Sequence, residues 1–531
     1  MNGTLLLVRW GILATILISI LPLSTGAAGP KGTVYNIIVP QQGSLIASPT
    51  YHFWLPESVT TYRCIIVHQH GCTREGDARL MMSDVQWLTL AKKWHAPFVA
   101  CSLATGSNCG NWNDPNNGSG NTFLAALDSL AKRTGHPEIS AIPWALWGHS
   151  GGSMWIMRMI GKYPQRVAVA IAQACGADIS NVPAALKVPI LHHNGIKDIC
   201  YNDGYFTTAR AKGAIWAYAV NPFPMWVNGG RCPNNPNGLC WDATVYGHAP
   251  HDLRMIAIPW IDIGLTSRLP DQAGSSQLKD MDTTNAWLGD RATKTIASQT
   301  TYTGNKLAAC WFPNQLFAKL WVEYMNTGTI KDSTPVPPAP YNLTGTYGNS
   351  QIVLKWDADA DLETGIMTFN IHRNGTLLQT MQWPNAPATL FTAVKGFQRW
   401  NDGDQPDPVP APNMTYTDNN LSDTGTYTYQ IATVNWVGVA GAKSSSLALK
   451  RGQVTMVAAT SLVAEASHRS TLTRWNINSG KINLRAGAVD MFDIRGCLLK
   501  SIALKNGGSF DVRALLGGSV GKVVIVKNTV K

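Results

Sequence analysis

The stretch Gly148-His149-Ser150-Gly151-Gly152 organises the fold of this chain. It ends an apolar run from Ala141 to Trp147 and opens a segment, Met154 to Lys162, whose apolar residues have helical spacing. Between a strand and a helix, the pattern Gly-x-Ser-x-Gly forces the serine onto a tight turn, and the flanking glycines avoid clashes that side chains would cause. The sequence therefore predicts that Ser150 projects from a sharp turn at the end of a buried strand.

A serine presented in this way acts as a nucleophile when it has a histidine base, an acid that orients the histidine, and two N–H groups for the oxyanion. Asp198 follows a predicted strand and is the expected acid, with Asp203 as the alternative. His248 is the expected base, with His251 as the alternative. The competing interpretations are that one histidine merely caps the following helix and that Ser150 is an ordinary helix cap.

The expected oxyanion donors are the N–H of Gly151, which follows the nucleophile, and the N–H of Cys72 in an early loop. His149 and Trp112 are predicted to line the substrate cleft, and the Trp-rich stretch around Trp112 is also consistent with a packing role. No group of cysteine and histidine residues has zinc-finger spacing, so the sequence predicts neither a metal nor a cofactor.

Strands and helices alternate through the first half of the chain. The apolar, β-branched runs predict strands at 62–70, 97–102, 141–147, 167–173, 188–194 and 215–220. Helical spacing predicts helices at 83–94, 121–134, 154–162, 203–213 and 256–265, and further helical structure up to Asp332. Such alternation indicates a mostly parallel sheet covered on both faces, with the active site at the carboxyl ends of the strands.

Residues 1–27 have the features of an export signal. Arg9 precedes an apolar core, and small residues at 24–27 provide a cleavage site. No later run of 18 apolar residues exists, so we expect no membrane span after signal removal and a secreted or cell-surface protein. Export would place the ten cysteines in an oxidising compartment. The expected disulfides are Cys101–Cys109 and Cys232–Cys240, because each closes a short Asn/Gly-rich loop; isolated buried thiols are the alternative.

Composition divides the remainder of the chain. A Pro-rich linker at 333–341 separates the predicted catalytic domain, 30–332, from alternating strands at 342–450 that resemble a fibronectin type III sandwich, with a hairpin turn at Asn374-Gly375. Residues 451–531 hold 12 Lys/Arg and 4 Asp/Glu, which is +8 of the net charge of +11. These charges alternate with apolar residues, which favours a strand-rich domain with a solvated basic face over a nucleic-acid-binding tail.

Two stretches resemble known families. "HQHGCTREG", which begins at His68, and the later "GHSGG" resemble the extracellular polyhydroxybutyrate depolymerase and feruloyl/acetyl-xylan esterase group of α/β-hydrolases over about residues 60–260. The resemblance implies a triad of Ser150, Asp198 and His248, with Cys72 and Gly151 as oxyanion donors; Arg74 stands where the group usually has Gln. The stretch from Ala488 resembles the short C-terminal β-domains of bacterial secretion and surface-sorting systems, which implies such machinery as a partner.

The sequence thus predicts an α/β-hydrolase followed by a β-sandwich and a small C-terminal β-domain. The expected activity is that of an exported serine esterase that forms an acyl-enzyme on a polymeric or polysaccharide-linked ester. Two rival hypotheses are a secreted serine peptidase and a non-catalytic surface adhesin with a hydrolase-like body. The presence of serine, aspartate and histidine candidates in the expected order argues against the adhesin.

Overall fold

The structure is a computed structural model, and it describes most of the chain up to residue 450. The described residues are 29–72, 78–79, 81–103, 109–194, 199–220, 254–328, 330, 336–348, 350–381, 413–421, 425–435 and 437–450, followed by short strands whose backbone alone is described. The side chains of 199–202 are also outside the description. The predicted export signal at 1–27 lies outside the described residues.

An eight-stranded sheet forms the centre of the domain that the sequence predicts to be catalytic. Its strands are β1 Gly32–Ile38, β2 Thr50–Pro56, β3 Ile65–Gln69, β4 Phe98–Ser102, β5 Trp144–His149, β6 Val167–Gln173, β7 Ile190–Asn194 and β8 Trp216–Val220. They lie in the order β1-β2-β4-β3-β5-β6-β7-β8. β2 pairs antiparallel with β1 and β4, and all other neighbours are parallel. This order and direction are those of an α/β-hydrolase, and all six predicted strands are present.

Five helices accompany this sheet among the described residues. They are α1 Val85–Lys93, α2 Ser119–Thr134, α3 Gly151–Lys162, α4 Ile199–Ala211 and α5 Arg254–Arg268. The carboxylate of Asp84 caps α1 by accepting from the backbone N–H groups of Gln86 and Trp87. Gly135, with φ 75°, ends α2 in the left-handed conformation that glycine adopts without strain. Local capping signals therefore set where these helices begin and end.

The core of this domain lies between the sheet and its helices. Every residue of β5 and β6 is buried, because α3 and α5 both pack against β6. Gly264 of α5 lies against the side chain of Val169, which is paired in register with Ala145. The backbone of Gly152 in α3 packs directly against Gly148, at the position that a β-carbon of residue 148 would occupy. Strands covered on both faces are continuous apolar runs, which is how these two are recognised in the sequence.

The sequence predicts helical structure in the segment after α5, and this prediction is wrong for the first part of the segment. It forms a small antiparallel sheet of β9 Trp287–Gly289, β10 Ile296–Ser298 and β11 Cys310–Phe312, and only then α6 Gln315–Thr327. Strands of three residues are too short to show a period of two, so the pattern gave no strand signal. The turn between β9 and β10 is closed by the carboxylate of Asp290, which accepts from the backbone N–H groups of Ala292 and Thr293.

Nine described strands between residues 341 and 457 form a sandwich of two antiparallel sheets. Its strands are β12 Tyr341–Gly348, β13 Gln351–Asp357, β14 Thr368–Arg373, β15 Thr376–Thr380, β16 Thr415–Asp418, β17 Thr426–Val434, β18 Ala440–Lys443, β19 Leu447–Lys450 and β20 Met456–Val457. One sheet has the order β16-β13-β12-β20, and the other has β15-β14-β17-β18, with β19 also paired to β17. Asn374 and Gly375 join β14 to β15 with φ values of 53° and 85°, which is the two-residue hairpin turn predicted from the sequence.

The chain divides into two units, Met1–Thr460 and Ser461–Lys531. The second unit contains β21 Leu472–Thr473, β22 Lys481–Leu484, β23 Gly487–Phe492, β24 Leu498–Leu504, β25 Gly508–Asp511 and β26 Ile525–Thr529. These form the sheets β21-β26-β23-β24 and β22-β25, in keeping with the strand-rich tail that was predicted. Within the described part of the chain, no helix has the length and apolar character needed to cross a membrane.

Candidate active site

Ser150 occupies the sharp turn between β5 and α3. Its φ is 53° and its ψ is −119°, a positive φ that non-glycine residues rarely adopt. A β-carbon on Gly148 would lie 2.5 Å from the carbonyl oxygen of Gly152, and one on Gly152 would lie 2.4 Å from the carbonyl oxygen of His70. Backbone therefore approaches backbone on both sides of the serine, which is the physical reason that glycine is required at these two positions.

The last residue of β6 is hydrogen-bonded to the turn that contains Ser150. The backbone N–H of Ser150 donates to the carbonyl oxygen of Gln173 over 2.9 Å, and the N–H of Ala174 donates to the carbonyl oxygen of His193 over 2.9 Å. Ala174 is a second non-glycine residue with positive φ, at 60°. Strained residues that a fold retains tend to lie at functional sites. Sequence reasoning missed Ala174, because alanine carries no turn signal.

A disulfide between Cys72 and Cys109 lies against the first residue of α3. A β-carbon on Gly151 would lie 2.5 Å from Sγ of Cys72 and 2.8 Å from Sγ of Cys109. The two expected oxyanion donors, Cys72 and Gly151, are therefore neighbours. The sequence predicts a role only for the backbone N–H of Cys72. The disulfide shows that its sulfur has a structural role as well.

The predicted Cys101–Cys109 disulfide is wrong. Cys101 lies on β4 as a fully buried free thiol, and burial raises the pKa of that thiol well above its usual range. The choice of partner depends on which loops meet at the edge of the sheet, and loop length along the chain does not reveal this. The predicted Cys232–Cys240 pair lies outside the described residues.

Two buried histidines border the Cys72 loop. His70 Nδ1 donates a hydrogen bond to the carbonyl oxygen of Gly71, and burial lowers the pKa of His70 to about 4. A neutral imidazole that is hydrogen-bonded to backbone in this way has a structural role. The ring of His68 stacks on the ring of Trp147 with centroids 4.1 Å apart, within the sheet that leads to Ser150. Neither ring is a candidate for the catalytic base.

The remaining triad candidates divide into described and undescribed residues. Asp198, His248 and His251 lie outside the described residues, and their roles stay predictions. Asp203 is described and forms an ion pair with Arg291, whose guanidinium lies 4.7 Å from the ring centroid of Phe206. This pairing engages the carboxylate of Asp203 with a cation, and the choice between Asp198 and Asp203 as the acid stays a prediction.

The two residues predicted to line the substrate cleft are both buried. Trp112 has no exposed surface, and its ring centroid lies 5.5 Å from that of His70. His149 has only 1% of its surface exposed. Side chains in these positions pack the interior beside the turn, so the packing interpretation of Trp112 is the one that its burial supports.

The arrangement places a serine hydroxyl beside the N-terminus of a helix, where a negative charge would be stabilised. Ser150 lies at the carboxyl end of β5, where active sites of parallel sheets form, and the N-terminus of α3 directs backbone N–H groups and the positive end of its dipole toward that point. No group of three or more His, Cys, Asp or Glu residues in the described ranges is arranged to hold a metal ion.

Comparison with known proteins gave similarity only to solved structures. No protein-family model and no curated protein matches the chain. A thermostable esterase is 18% identical with a TM-score of 0.29, and the match covers 36% of this chain and 54% of that one, about half its length. Poly(aspartic acid) hydrolase-1 from Sphingomonas sp. KT-1 is 15% identical with a TM-score of 0.29, covering 36% and 92%. A poly(3-hydroxybutyrate) depolymerase from Bordetella parapertussis is 16% identical with a TM-score of 0.26, covering 38% and 85%. Similarities this distant assign no activity to the chain.

Proposed function

We propose that this protein is an exported serine ester hydrolase that forms an acyl-enzyme on polymeric or polysaccharide-linked esters. The observation that carries the proposal is the positive φ of Ser150, 53°, in the turn between β5 and α3. Such a conformation costs about 1–3 kcal/mol and persists only where the surrounding structure imposes it. A turn of this kind holds a serine clear of the sheet and available to a substrate.

In the proposed reaction, Oγ of Ser150 attacks the ester carbonyl carbon while His248 accepts the hydroxyl proton. Asp198 would fix the tautomer of His248 and stabilise the imidazolium. The oxyanion would accept hydrogen bonds from the N–H groups of Gly151 and Cys72. The C–O bond to the alcohol then breaks, and the alcohol leaves with the proton from His248. Attack of water on the acyl-enzyme regenerates Ser150 and releases the acid.

We further propose that the ester substrate is polymeric. It is supported by the resemblance of the residues around Cys72 and Ser150 to secreted depolymerases and polysaccharide esterases, and by the two β-rich domains that follow the catalytic domain. Appended β-domains commonly deliver hydrolases to a surface, which is an argument by analogy.

The nucleophile is tested by Ser150→Ala. We expect the hydrolysis of p-nitrophenyl esters to fall by roughly 10³-fold or more, because the nucleophile is lost while the packing is kept. A fluorophosphonate probe should label Ser150 in the parent protein and leave the variant unlabelled. A folded variant with near wild-type turnover would overturn the proposal.

The substrate class is tested separately on the parent protein. Parallel rate measurements on p-nitrophenyl esters, peptide anilides, acetylated xylan, feruloylated xylan and a polyhydroxyalkanoate should show activity on esters. Efficient anilide cleavage with slow ester cleavage would instead identify a peptidase that uses the same serine.

A further inference from the structure

The disulfide joins two short segments that lie against the start of α3. Cys72 follows β3 by three residues, and Cys109 begins a short 3₁₀ turn. In the proposed reaction, the N–H groups of Gly151 and Cys72 bind the oxyanion. The N–H of Gly151 belongs to α3 itself, whereas that of Cys72 belongs to a loop. A donor on a loop needs contacts that hold it in place before the substrate arrives.

The segment on the Cys109 side of the disulfide is a compact turn. The carbonyl oxygen of Cys109 accepts from the backbone N–H groups of Trp112 and Asn113, over 3.2 and 3.0 Å. The side chains of Trp112 and Asn113 are both buried. We call residues 109–113 the anchor turn. Because the turn is closed by its own hydrogen bonds, whatever fixes Asn113 also fixes Cys109.

Arg158 of α3 holds Asn113. It lies about two helical turns beyond Gly151. Its Nη1 donates to the backbone carbonyl oxygen of Asn113 over 3.1 Å and to the side-chain Oδ1 over 2.6 Å. This orientation leaves Nδ2 of Asn113 facing Sγ of Cys109 over 3.8 Å and Sδ of Met154 over 3.7 Å. One arginine of α3 is thus connected, through one asparagine, to the sulfur of the disulfide.

A second side chain of α3 holds the anchor turn from within the core. Nε1 of Trp155 donates to Oγ of Ser119 over 3.0 Å, and this hydroxyl donates to the carbonyl oxygen of Trp112 over 2.6 Å. All three residues are fully buried, so water does not compete for these hydrogen bonds. The anchor turn is therefore attached to α3 at two places.

We propose that Arg158 and Asn113 are positioning residues for the oxyanion-binding N–H of Cys72, and that the disulfide connects them to it. The inference rests on the proposed function, in which Cys72 supplies one of two oxyanion donors. Gly151 is the first residue of α3. Cys72 is joined to the same helix through the disulfide, Asn113 and Arg158. One helix therefore sets the distance between the two donors, and donors fixed in advance are what stabilises an oxyanion.

The first test is Arg158→Met in the full chain. Methionine removes both hydrogen bonds to Asn113 and leaves the disulfide intact. We expect kcat for p-nitrophenyl esters to fall by about tenfold to a hundredfold, as for a misplaced catalytic group, with KM changed much less. Arg158→Lys is the rescue variant. Both bonds come from the single nitrogen Nη1, so an ammonium group with three donors can replace them, and most of the parent kcat should remain.

An aryl trifluoromethyl ketone reports on the oxyanion site directly. Oγ of Ser150 adds reversibly to its carbonyl carbon, the proton passes to the catalytic base, and the carbonyl oxygen becomes an oxyanion. Such a mimic of the tetrahedral intermediate depends on the oxyanion donors much more than the ground-state ester does. In Arg158→Met its inhibition constant should rise by about the factor by which kcat/KM falls. A lower kcat with an unchanged inhibition constant would place the defect outside the oxyanion site and overturn the inference.

The disulfide is tested by Cys72→Ser/Cys109→Ser, which keeps the backbone N–H of residue 72. We expect a similar loss of kcat and a similar rise of the inhibition constant. Adding Arg158→Met to this variant should cost little more, because Arg158 is then no longer connected to residue 72. Fully additive losses would show that Arg158 acts by another route, and the inference would be wrong.

The matched control is Arg166→Met. Nη2 of Arg166 donates to the carbonyl oxygens of Ser140 and Ile142, each over 3.0 Å. This is again one guanidinium nitrogen that holds two loop oxygens, but at the opposite end of β5 from Ser150. Arg166→Met should lower Tm while kcat and the inhibition constant keep their parent values. If Arg158→Met behaves in the same way, its role is structural only and the inference fails.

The remaining outcomes are separated by two rules. If Arg158→Met does not fold, Cys72→Ser/Cys109→Ser decides, because parent constants in that variant would overturn the inference. Fluorophosphonate labelling of the parent tests the nucleophile alone. A parent without a labelled Ser150 would refute the proposed function, whereas a labelled parent whose Arg158→Met variant keeps both constants would refute only the inference.

Discussion

Around Ser150 the backbone is tightly constrained. Ser150 has a positive φ, and close backbone approach requires glycine at Gly148 and Gly152. The disulfide occupies the space where Gly151 would carry a β-carbon. The pattern Gly-x-Ser-x-Gly is local, so the sequence predicts the turn and its serine. The disulfide depends on loops distant in sequence, so Cys109 was assigned the wrong partner. The predictable part of the site is the part that neighbouring residues determine.

Gly151→Ala tests how tightly this position is packed. The added β-carbon would overlap both sulfurs of the disulfide, at 2.5 and 2.8 Å. We expect a loss of about 1–3 kcal/mol in the free energy of unfolding and reduced esterase activity, because the proposed oxyanion N–H would be displaced. Gly204→Ala on α4 is the control, since a β-carbon there would have no atom within 4 Å. The control should be as stable as the parent or slightly more so; equal behaviour of the two variants in thermal unfolding would contradict the packing argument.

The two histidine candidates are ranked by single substitutions. His248→Ala should lower turnover by orders of magnitude, because Gly247 frees the loop backbone to direct the ring of His248 toward the serine. His251→Ala should lower turnover by roughly tenfold at most. The opposite ranking in steady-state kinetics would assign the base to His251. Small and equal losses would mean that Ser150 has a different partner.

At the scale of the element, long buried strands were predictable and short ones were not. β6 consists of six apolar residues followed by Gln173; all seven are buried, and the predicted and observed limits agree. The three-residue strands β9, β10 and β11 owe their conformation to packing in the folded chain, including the backbone of β8 and the side chains of α6. Their sequences were taken for helix because tertiary contacts, and no local pattern, determine them.

β7 carries two buried histidines that we expect to respond differently to substitution. Neither ring nitrogen of His192 has a hydrogen-bond partner within the described structure, and the ring lies 5.1 Å from that of Trp216. Nε2 of His193 is hydrogen-bonded to the hydroxyl of Tyr324 over 2.8 Å. His192→Leu should therefore leave the free energy of unfolding unchanged or raise it, whereas His193→Leu should lower it by about 1 kcal/mol. Chemical denaturation at pH 7 measures both, and a larger loss in His192→Leu would contradict the assignment.

These histidines also predict how stability depends on pH. Burial lowers the pKa of His192 and of His193 to about 3, below the value of about 6.5 in an unfolded chain. Below pH ~6.5 the unfolded state therefore binds protons that the folded state does not bind. Stability should be full above pH ~6.5 and fall as the pH drops toward 3. Each single His→Leu variant should reduce the slope of unfolding free energy against pH by up to about 1.4 kcal/mol per pH unit in that window. An unchanged slope in both variants would show that other groups govern acid unfolding.

At the scale of the whole molecule, the domain of the eight-stranded sheet and the sandwich share buried contacts. Val85 of α1 is buried in the core of the sandwich, and Asp357 of the sandwich pairs with Lys31 over 2.9 Å and accepts from the backbone N–H of Gly29. The division of the chain falls later, between Thr460 and Ser461, after β20 has paired with β12. The sandwich is therefore part of the same unit as the proposed active site, whereas residues 461–531 form their own unit.

Two deletions test this division. Removing residues 461–531 should leave kcat, KM and the main unfolding transition unchanged, because the first unit ends at Thr460. If the tail is a sorting domain, the same deletion should abolish retention at the cell surface.

Removing residues 333–531 should instead lower Tm by several degrees. This deletion exposes Val85 and leaves Lys31 without Asp357. Exposing one such apolar side chain costs about 1.5–3 kcal/mol. A shorter chain with the parent Tm and kcat would show that the sandwich is an independent appendage, while a loss of Tm on removing 461–531 alone would show that the tail stabilises the catalytic unit.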